Sequence, residues 1–306
     1  MHRTLAVRSF GYLSKRTVVM SGEIDASWLR LELTSRPEAA RLVRSMATAA
    51  GDALGFDPEL LSDVNTAVTE ACNNVILHAY GDQPGPLSVE LRVALAGLEV
   101  CVRDQGSGIR QSDPEHEGLK VGLALMSALA DRAEFSNVPD GGTEVRLSFR
   151  SPVFRHPAAW PQGLDDDCRA STWQAELHSQ LTGDLMLTVS PVTLLAPVLG
   201  RIGRTLAPSA GFSLQACSDV YLVSDVLGAY AERAAEAGSI SVALGARDRR
   251  LEFALAPLRA GTSAHLERAG SAHGTDTLAH LTDEVTISSL GGHETLRVSM
   301  RDQLRS

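Results

Sequence analysis

Glu70 and Asn74 stand four residues apart in the run AVTEACNNVILHAYGD, Ala67–Asp82. If that run is helical, the two side chains share one face. The asparagine amide oxygen is a hard ligand suited to Mg²⁺, and the carboxylate can accept a proton from an attacking hydroxyl or water. Taken alone, the pair reads as a polar helix face kept for solubility. A second group follows in VCVRDQGSGI, Val100–Ile109. There Asp104 closes an apolar strand and can accept hydrogen bonds from a ring amino group. Gly106 and Gly108 would let a flat ligand lie close to the backbone, although DxGxG is also an ordinary Asx-type loop. In EGLKVGLALMSALAD, Glu117–Asp131, Gly118 and Gly122 precede a helix start, where free N–H groups and the macrodipole favour phosphate. Finally GGT, Gly141–Thr143, enters a last strand, and the Thr143 hydroxyl could reach a base or a bridging water. His78, two turns beyond Glu70, reads as a packed, hydrogen-bonded residue rather than a catalyst.

The elements that must position these residues are legible in outline. LRLELT, Leu29–Thr34, alternates apolar and polar as a half-buried strand does. Pro37 opens a helical pattern to about Leu54, with Ser35 as its cap and Gly55 as its stop. A second helix begins at Asp57-Pro58 and carries Leu61, Val64, Val68, Ala71, Val75 and Ala79 at helical spacing until Gly81. Two strands follow, Leu87–Leu95 and Leu98–Arg103, turning at Ala96-Gly97; a polar loop, Gln105–Glu117, leads to a helix from about Gly122 to Leu129. The strand Glu144–Phe149 closes this unit, and Ser151–Cys168 lacks periodicity and reads as a linker.

The second half runs through the same order. LMLTVS, Leu185–Ser190, leads into Pro191 and an apolar helix ending near Leu206. Gly211-Phe212 matches Gly55-Phe56, and Ser218-Asp219-Val220 matches Ser62-Asp63-Val64, both 156 positions on. Strands Ile240–Leu244 and Leu251–Leu255 return, and GGHETLRVSM (Gly291–Met300) resembles GGTEVRLSF (Gly141–Phe149) with one extra residue. The pattern predicts a tandem duplication; two unrelated α/β domains with coincident Gly-Gly turns are the alternative. The expected boundaries are an extension 1–28, a first domain 29–150, a linker 151–184 and a second domain 185–301. At the offset of 156, Val226 stands for Glu70 and Tyr230 for Asn74; Pro257 stands for Asp104 when LEV is set on LEF. Ser271–Thr277 keeps Gly274 but not the pattern around it. The second domain should therefore lack a nucleotide site and serve packing or partner binding.

Composition fits two globular domains and narrows the classes. The 306 residues are 44% hydrophobic and 21% charged, with a formal net charge of −9. Lys and Arg are dispersed, so neither a nucleic-acid stripe nor a polybasic membrane patch is present. Four cysteines, Cys72, Cys101, Cys168 and Cys217, form no CxxC pair, which points to a reducing compartment. The first twenty residues lack the apolar core of a signal peptide, and no run approaches the ~20 apolar residues of a bilayer span. The expected location is cytoplasmic.

The four segments, in this order, resemble the GHKL ATPase superfamily of gyrase, MutL and histidine kinases. More narrowly, TEACNNVILHAY looks like the helix motif of anti-sigma-factor serine/threonine kinases. The resemblance covers roughly Leu29–Phe149. It implies an α+β fold, a two-layer α/β sandwich of the Bergerat type with a mixed sheet, here in two tandem copies, the second degenerate. It also implies ATP with Mg²⁺: Glu70 as general base, Asn74 on the metal, Asp104 at the adenine amino group with Gly106 and Gly108 beside it. Gly118 and Gly122 would flank the phosphate lid, and Thr143 would sit by the adenine. Where the family commonly reads GxGxGL, this chain has Lys120 for the middle glycine, which either brings an ammonium to the phosphates or stiffens the lid. The implied partners are an anti-anti-sigma (STAS-type) protein and a sigma factor, without nucleic acid or membrane, in a homodimer or a pseudo-dimer within the chain. The alternative is a nucleotide-gated interaction module without significant phosphotransfer.

Overall fold

In β1 (Ser27–Thr34) the alternation of SWLRLELT puts Leu29, Leu31 and Leu33 on one buried face and leaves Trp28, Arg30 and Glu32 half-buried on the other. Alternate residues enter the same core in β2 (Pro86–Ala94), β3 (Gly97–Asp104), β5 (Thr143–Arg150) and β10 (His293–Arg301), and in β6 (Leu185–Ser190), β7 (Ile240–Arg247) and β8 (Arg250–Arg259), which are buried over much of both faces. All eight contribute to one continuous core. Against that face lie α1 (Ala39–Leu54), α2 (Pro58–Asn74), α3 (Glu117–Leu129), α4 (Leu195–Leu206) and α5 (Leu214–Ala234). The structure is a computed structural model and describes residues 27–94, 97–108, 117–139, 141–150, 181, 183–262, 278, 280–290 and 292–302.

With β4 (Arg132–Asn137) and β9 (Glu284–Leu290), the strands form one ten-stranded sheet in the order β4-β5-β3-β2-β1-β6-β7-β8-β10-β9. The order read inward from either edge is the same for the two halves, which meet where β1 pairs with β6. Every one of these pairings is antiparallel, not mixed as the resemblance implied. The reason is that β5 returns between β3 and β4, so these two like-directed strands never touch. Above the junction α1 packs on α4; Ser45 and Thr205 share a hydrogen bond of 2.8 Å, and Arg201 reaches Asp52 at 3.1 Å.

The two faces of the sheet differ between halves. In the first half the face away from the helices carries Arg30, Glu90 and Arg92, with Arg103, Glu144 and Arg146 beyond them, linked as ion pairs. In the second half that face holds a small apolar cluster of Leu181, Met186, Ala243, Ala254 and Ala256. Among the described residues no helix is long and apolar enough to cross a membrane.

Several local expectations change. Ser35 does not cap α1, which begins at Ala39 without a side-chain cap. Instead the Ser35 hydroxyl accepts from the Gly85 N–H at 3.0 Å, and the Ser35 N–H donates to the Gly85 carbonyl, tying the start of α1 to the GDQPGP loop. Strand β4 is a finding: RAEFSN is a mostly exposed edge whose only inward apolar residues, Ala133 and Phe135, give too short an alternation to read. Helix α3 begins at Glu117, so Gly118, Lys120 and Gly122 lie inside it rather than ahead of it. The extra residue in GGHETLRVSM becomes a β-bulge between Glu294 and Leu296. The extension before Ser27, residues 109–116 of the polar loop, most of the linker including Cys168, and Ser271–Thr277 fall outside the described residues.

Candidate nucleotide site

Helix α2 is set by its first turn: the Asp57 carboxylate accepts from the Glu59 N–H at 2.9 Å, and Pro58 occupies the first helical position. Val64, Ala67, Val68 and Ala71 bury one face, which turns Glu70 and Asn74 toward α3. There Gly122 packs so closely that a Cβ would lie 3.2 Å from Asn74 Oδ1 and 3.4 Å from Glu70 Oε2. Any side chain at 122 would crowd both groups.

After Asn74 the helix widens into a π-turn, Val75–Ala79. Such turns free carbonyls from the regular ladder and frequently mark functional sites. Here the Ala79 carbonyl accepts from the Ser107 N–H at 3.0 Å, drawing the DQGSG loop against the helix end. Gly106 is required for that approach, because a Cβ would fall 2.3 Å from the Ala79 oxygen. Tyr80 clamps the same loop from the other side. Its hydroxyl donates to the Pro86 carbonyl at 2.5 Å and accepts from the Gln105 N–H at 2.6 Å, with the ring lying over Gly85.

Asp104 ends β3 almost buried, 5% exposed. Its carboxylate accepts from the Gly106 N–H at 2.7 Å and from the backbone and hydroxyl of Thr143. Burial raises its pKa above the ordinary Asp value, and these three hydrogen bonds offset part of that rise. Gly142 makes the contact possible: its φ is +92°, and a Cβ would stand 2.0 Å from the Asp104 carbonyl oxygen.

Asn74, His78, Asp104, Gly108, Leu123 and Thr143 line one cavity of about 50 Å³. Leu123 brings α3 to the wall of the same cavity. The helix, the strand end and the glycine turn singled out in the sequence therefore converge. Glu70 stands one turn from the cavity and lines a separate groove between α1 and α2 instead. Of Gly118 and Lys120 only their place in α3 is described. Sequence reasoning overlooks the π-turn and Tyr80. The signal for Tyr80 was its place at the close of the helix motif, immediately before the GDQPGP turn it braces.

No group of three or more His, Cys, Asp or Glu side chains is placed to hold a metal among the described residues. The donor set fits Mg²⁺ in another way. Mg²⁺ is usually held by one or two protein oxygens together with substrate phosphates and water. Asn74 offers an amide oxygen beside the cavity for that role; its Nδ2, buried without a hydrogen-bond partner among the described residues, is a donor that would meet a phosphate oxygen and not the cation.

The second half carries a buried tyrosine in its own long helix, α5. Tyr230, 156 positions beyond Asn74, is 2% exposed, and its hydroxyl meets Thr262 Oγ1 at 3.3 Å. Thr262 also donates to Glu294 at 3.2 Å, and Glu294 accepts from the Gly261 N–H at 2.7 Å. Burial pushes the Tyr230 hydroxyl pKa up; the Thr262 hydrogen bond offsets this in part, while the Glu294 carboxylate adds to it.

Comparison with known proteins places these features. The family model described as a histidine kinase-like ATPase domain matches residues 33–149. Serine-protein kinase RsbW of Bacillus licheniformis is 31% identical over 139 residues, spanning 40% of this chain and 85% of that protein. Anti-sigma F factor of Pasteuria penetrans is 30% identical over 142 residues, spanning 42% and 95%. A crystal structure of RsbU and RsbW domains from Mycobacterium tuberculosis aligns at 26% identity with a TM-score of 0.32, covering 40% of this chain and 32% of that one.

Proposed function

The chain belongs to the histidine kinase-like ATPase family, alongside serine-protein kinase RsbW and anti-sigma F factor, and from that premise we propose that its first half binds Mg-ATP and phosphorylates a hydroxyl on an anti-anti-sigma (STAS-type) partner. The partner's modification would control the release of a sigma factor. The observation that carries the reading is the convergence of Asn74, Asp104 and Thr143 on one cavity, with Glu70 a turn away and Gly122 touching both helix side chains.

Each residue has a physical task. Asp104 accepts from the adenine amino group, and the Thr143 hydroxyl, already bonded to Asp104, fixes the carboxylate's direction. Gly106 and Gly108 keep the ring's approach clear. Asn74 holds the metal, which when bound neutralises phosphate charge. Glu70 takes the proton of the attacking partner hydroxyl as its oxygen bonds to the terminal phosphorus and the bond to the leaving ADP oxygen breaks. The first two turns of α3, with Gly118, Lys120 and Gly122, cover the phosphates, and Leu123 lies beside the ring.

The second half is read as a degenerate copy that takes the place of a second subunit, giving a pseudo-dimer within one cytoplasmic chain. The mirrored strand order and the recurring offset of 156 support this. The packing of α3 against the site, through Gly122 and Leu123, favours one further reading, a nucleotide-gated interaction module in which ATP binding moves α3 without transfer.

Incubation with labelled ATP and purified STAS domains separates the two. Label on a STAS domain, lost in Glu70→Ala and kept in Tyr230→Phe, is the outcome expected of the kinase. Tight ATP binding with no label on any STAS domain tested would replace it with the gate.

A further inference from the structure

Two asparagines of α2 have tyrosines 156 positions on: Asn74 corresponds to Tyr230 and Asn65 to Tyr221. The first exchange sets a buried tyrosine against an asparagine that lines a cavity. The second bears on a different space. In the first half Asn65 turns back to Thr48 at 3.1 Å, and beside this pair lies a groove of about 520 Å³. It passes Pro58, Ser62 and Thr66 and ends at Thr69 and Glu70. The Thr66 and Thr69 hydroxyls donate to their own helix, to the Ser62 and Asn65 carbonyls at 2.9 and 2.6 Å, and leave the groove clear.

In the second half Tyr221 occupies the matching place. Its ring packs on Gly200, where a Cβ would stand 2.7 Å from Cδ1, and the Arg204 guanidinium lies 5.6 Å from its centroid. Gly200 and Arg204 stand 156 positions beyond Arg44 and Thr48. The groove is thus open in the half that has Glu70 and plugged in the half that has Val226 there. A space useful only for packing would have no reason to follow the carboxylate.

We propose that the α1–α2 groove seats the acceptor segment of the phosphorylated partner, an extended stretch that runs past Pro58 and Thr66 and presents its hydroxyl to Glu70. The proposal rests on the kinase reading. In-line transfer requires the attacking and leaving oxygens to approach from opposite sides. Glu70 and Asn74 lie on successive turns of α2, the groove ending at one and the nucleotide cavity at the other. The walls carry Arg44 and Asp52 on the α1 side and Ser62, Asn65 and Thr66 on the α2 side, with Phe56, Pro58 and Leu61 between them. This mixed lining suits an extended backbone with small side chains better than an apolar helix.

The test uses the full chain, labelled ATP and whichever purified STAS domain it phosphorylates. Asn65→Tyr copies the second half, and Thr66→Trp fills the groove from an exposed position that cannot disturb the core. Both variants should raise the KM for the STAS domain at least tenfold and keep ATP affinity within twofold of the parent. Glu70→Ala should instead lose kcat. An unchanged KM in Thr66→Trp, in a chain that still transfers phosphate, overturns the groove alone. Absence of transfer by the parent chain, with ATP bound, overturns the kinase reading and the groove with it.

Discussion

Leu31 and Leu187 stand directly opposite one another across the β1–β6 pair, and they are themselves 156 positions apart. The pairing is reciprocal about them: Leu29 faces Val189, and Leu33 faces Leu185. On the proposed reading of the second half as a degenerate copy, a residue here contacts its own counterpart between reciprocal contacts, as in an isologous interface. It also uses up both inner strand edges, which would otherwise template pairing with another chain. Light scattering at micromolar concentration should therefore give the mass of one chain or a weak dimer. An obligate tetramer would contradict this arrangement.

The degenerate-copy reading makes a stoichiometric prediction. In the second half Tyr230, Thr262 and Glu294 are buried and hydrogen-bonded to one another, whereas Asn74, Gly108 and Thr143 line a cavity. Calorimetric titration with ADP and Mg²⁺ should give one site per chain, and Asp104→Ala should remove it, a loss of at least a hundredfold in affinity. A second, Asp104-independent site would show that the trailing half binds nucleotide.

Most of the first half was readable because its signals are local and backbone-based. Asp57-Pro58 marked the start of α2, Gly55 with φ +75° ended α1, and the alternation of LRLELT fixed the inward face of β1. Tertiary effects stayed hidden. Ser35 has the chemistry of a cap, yet the Gly85 N–H competes for its hydroxyl from fifty residues away. The widening after Asn74 leaves no compositional mark, since VILHA is ordinary helical sequence. The position of Asp104, buried at a strand end beside glycines, was legible from its neighbours. That Thr143 holds it was not, because the contact depends on the strained turn at Gly142.

Asp104 should give nucleotide binding a distinctive acid limb. Burial holds its folded pKa above the ordinary Asp value, so it protonates sooner on acidification than a solvated Asp. The protonated carboxyl is a poorer acceptor for an adenine amino group, so ADP affinity should fall as pH is lowered toward and through that raised value. The sign for stability is opposite, since a raised carboxyl pKa makes the empty fold relatively less stable as pH rises through it. Asp104→Asn should bind weakly with no acid limb, as followed by fluorescent-nucleotide displacement. An affinity in the parent chain that is flat down to the ordinary Asp range would remove the carboxylate from the site.

Gly142→Ala should separate site integrity from global stability. At φ +92° with a Cβ 2.0 Å from the Asp104 carbonyl, alanine forces β5 away from the DQGSG loop. Gly55→Ala is the control, being strained at φ +75° but with nothing within 4 Å of its Cβ. Each should lose about 1–3 kcal/mol of unfolding free energy from backbone strain, and only Gly142→Ala should lose ADP binding. Equal affinity in the two variants would refute the turn's role.

Tyr80 is the hinge between the α2 motif and the loop below it. Its hydroxyl both donates to Pro86 and accepts from Gln105, and burial, reinforced by the Asp104 carboxylate, raises its pKa despite the Gln105 hydrogen bond. It therefore stays protonated and donating across the neutral range. Tyr80→Phe keeps the ring over Gly85 and deletes only these two hydrogen bonds, each contributing about 0.5–1.5 kcal/mol net. The cost should fall on the loop that carries Gly106 rather than on α2. We expect faster amide exchange at Gln105 and Gly106, with ADP affinity reduced about three- to tenfold and the melting temperature lowered by only a few degrees. Unaltered exchange at Gln105 would mean that the clamp contributes nothing. Global loosening, with Leu91 and Val100 exchanging as fast as the loop, would make Tyr80 a core residue instead of a support for the nucleotide pocket.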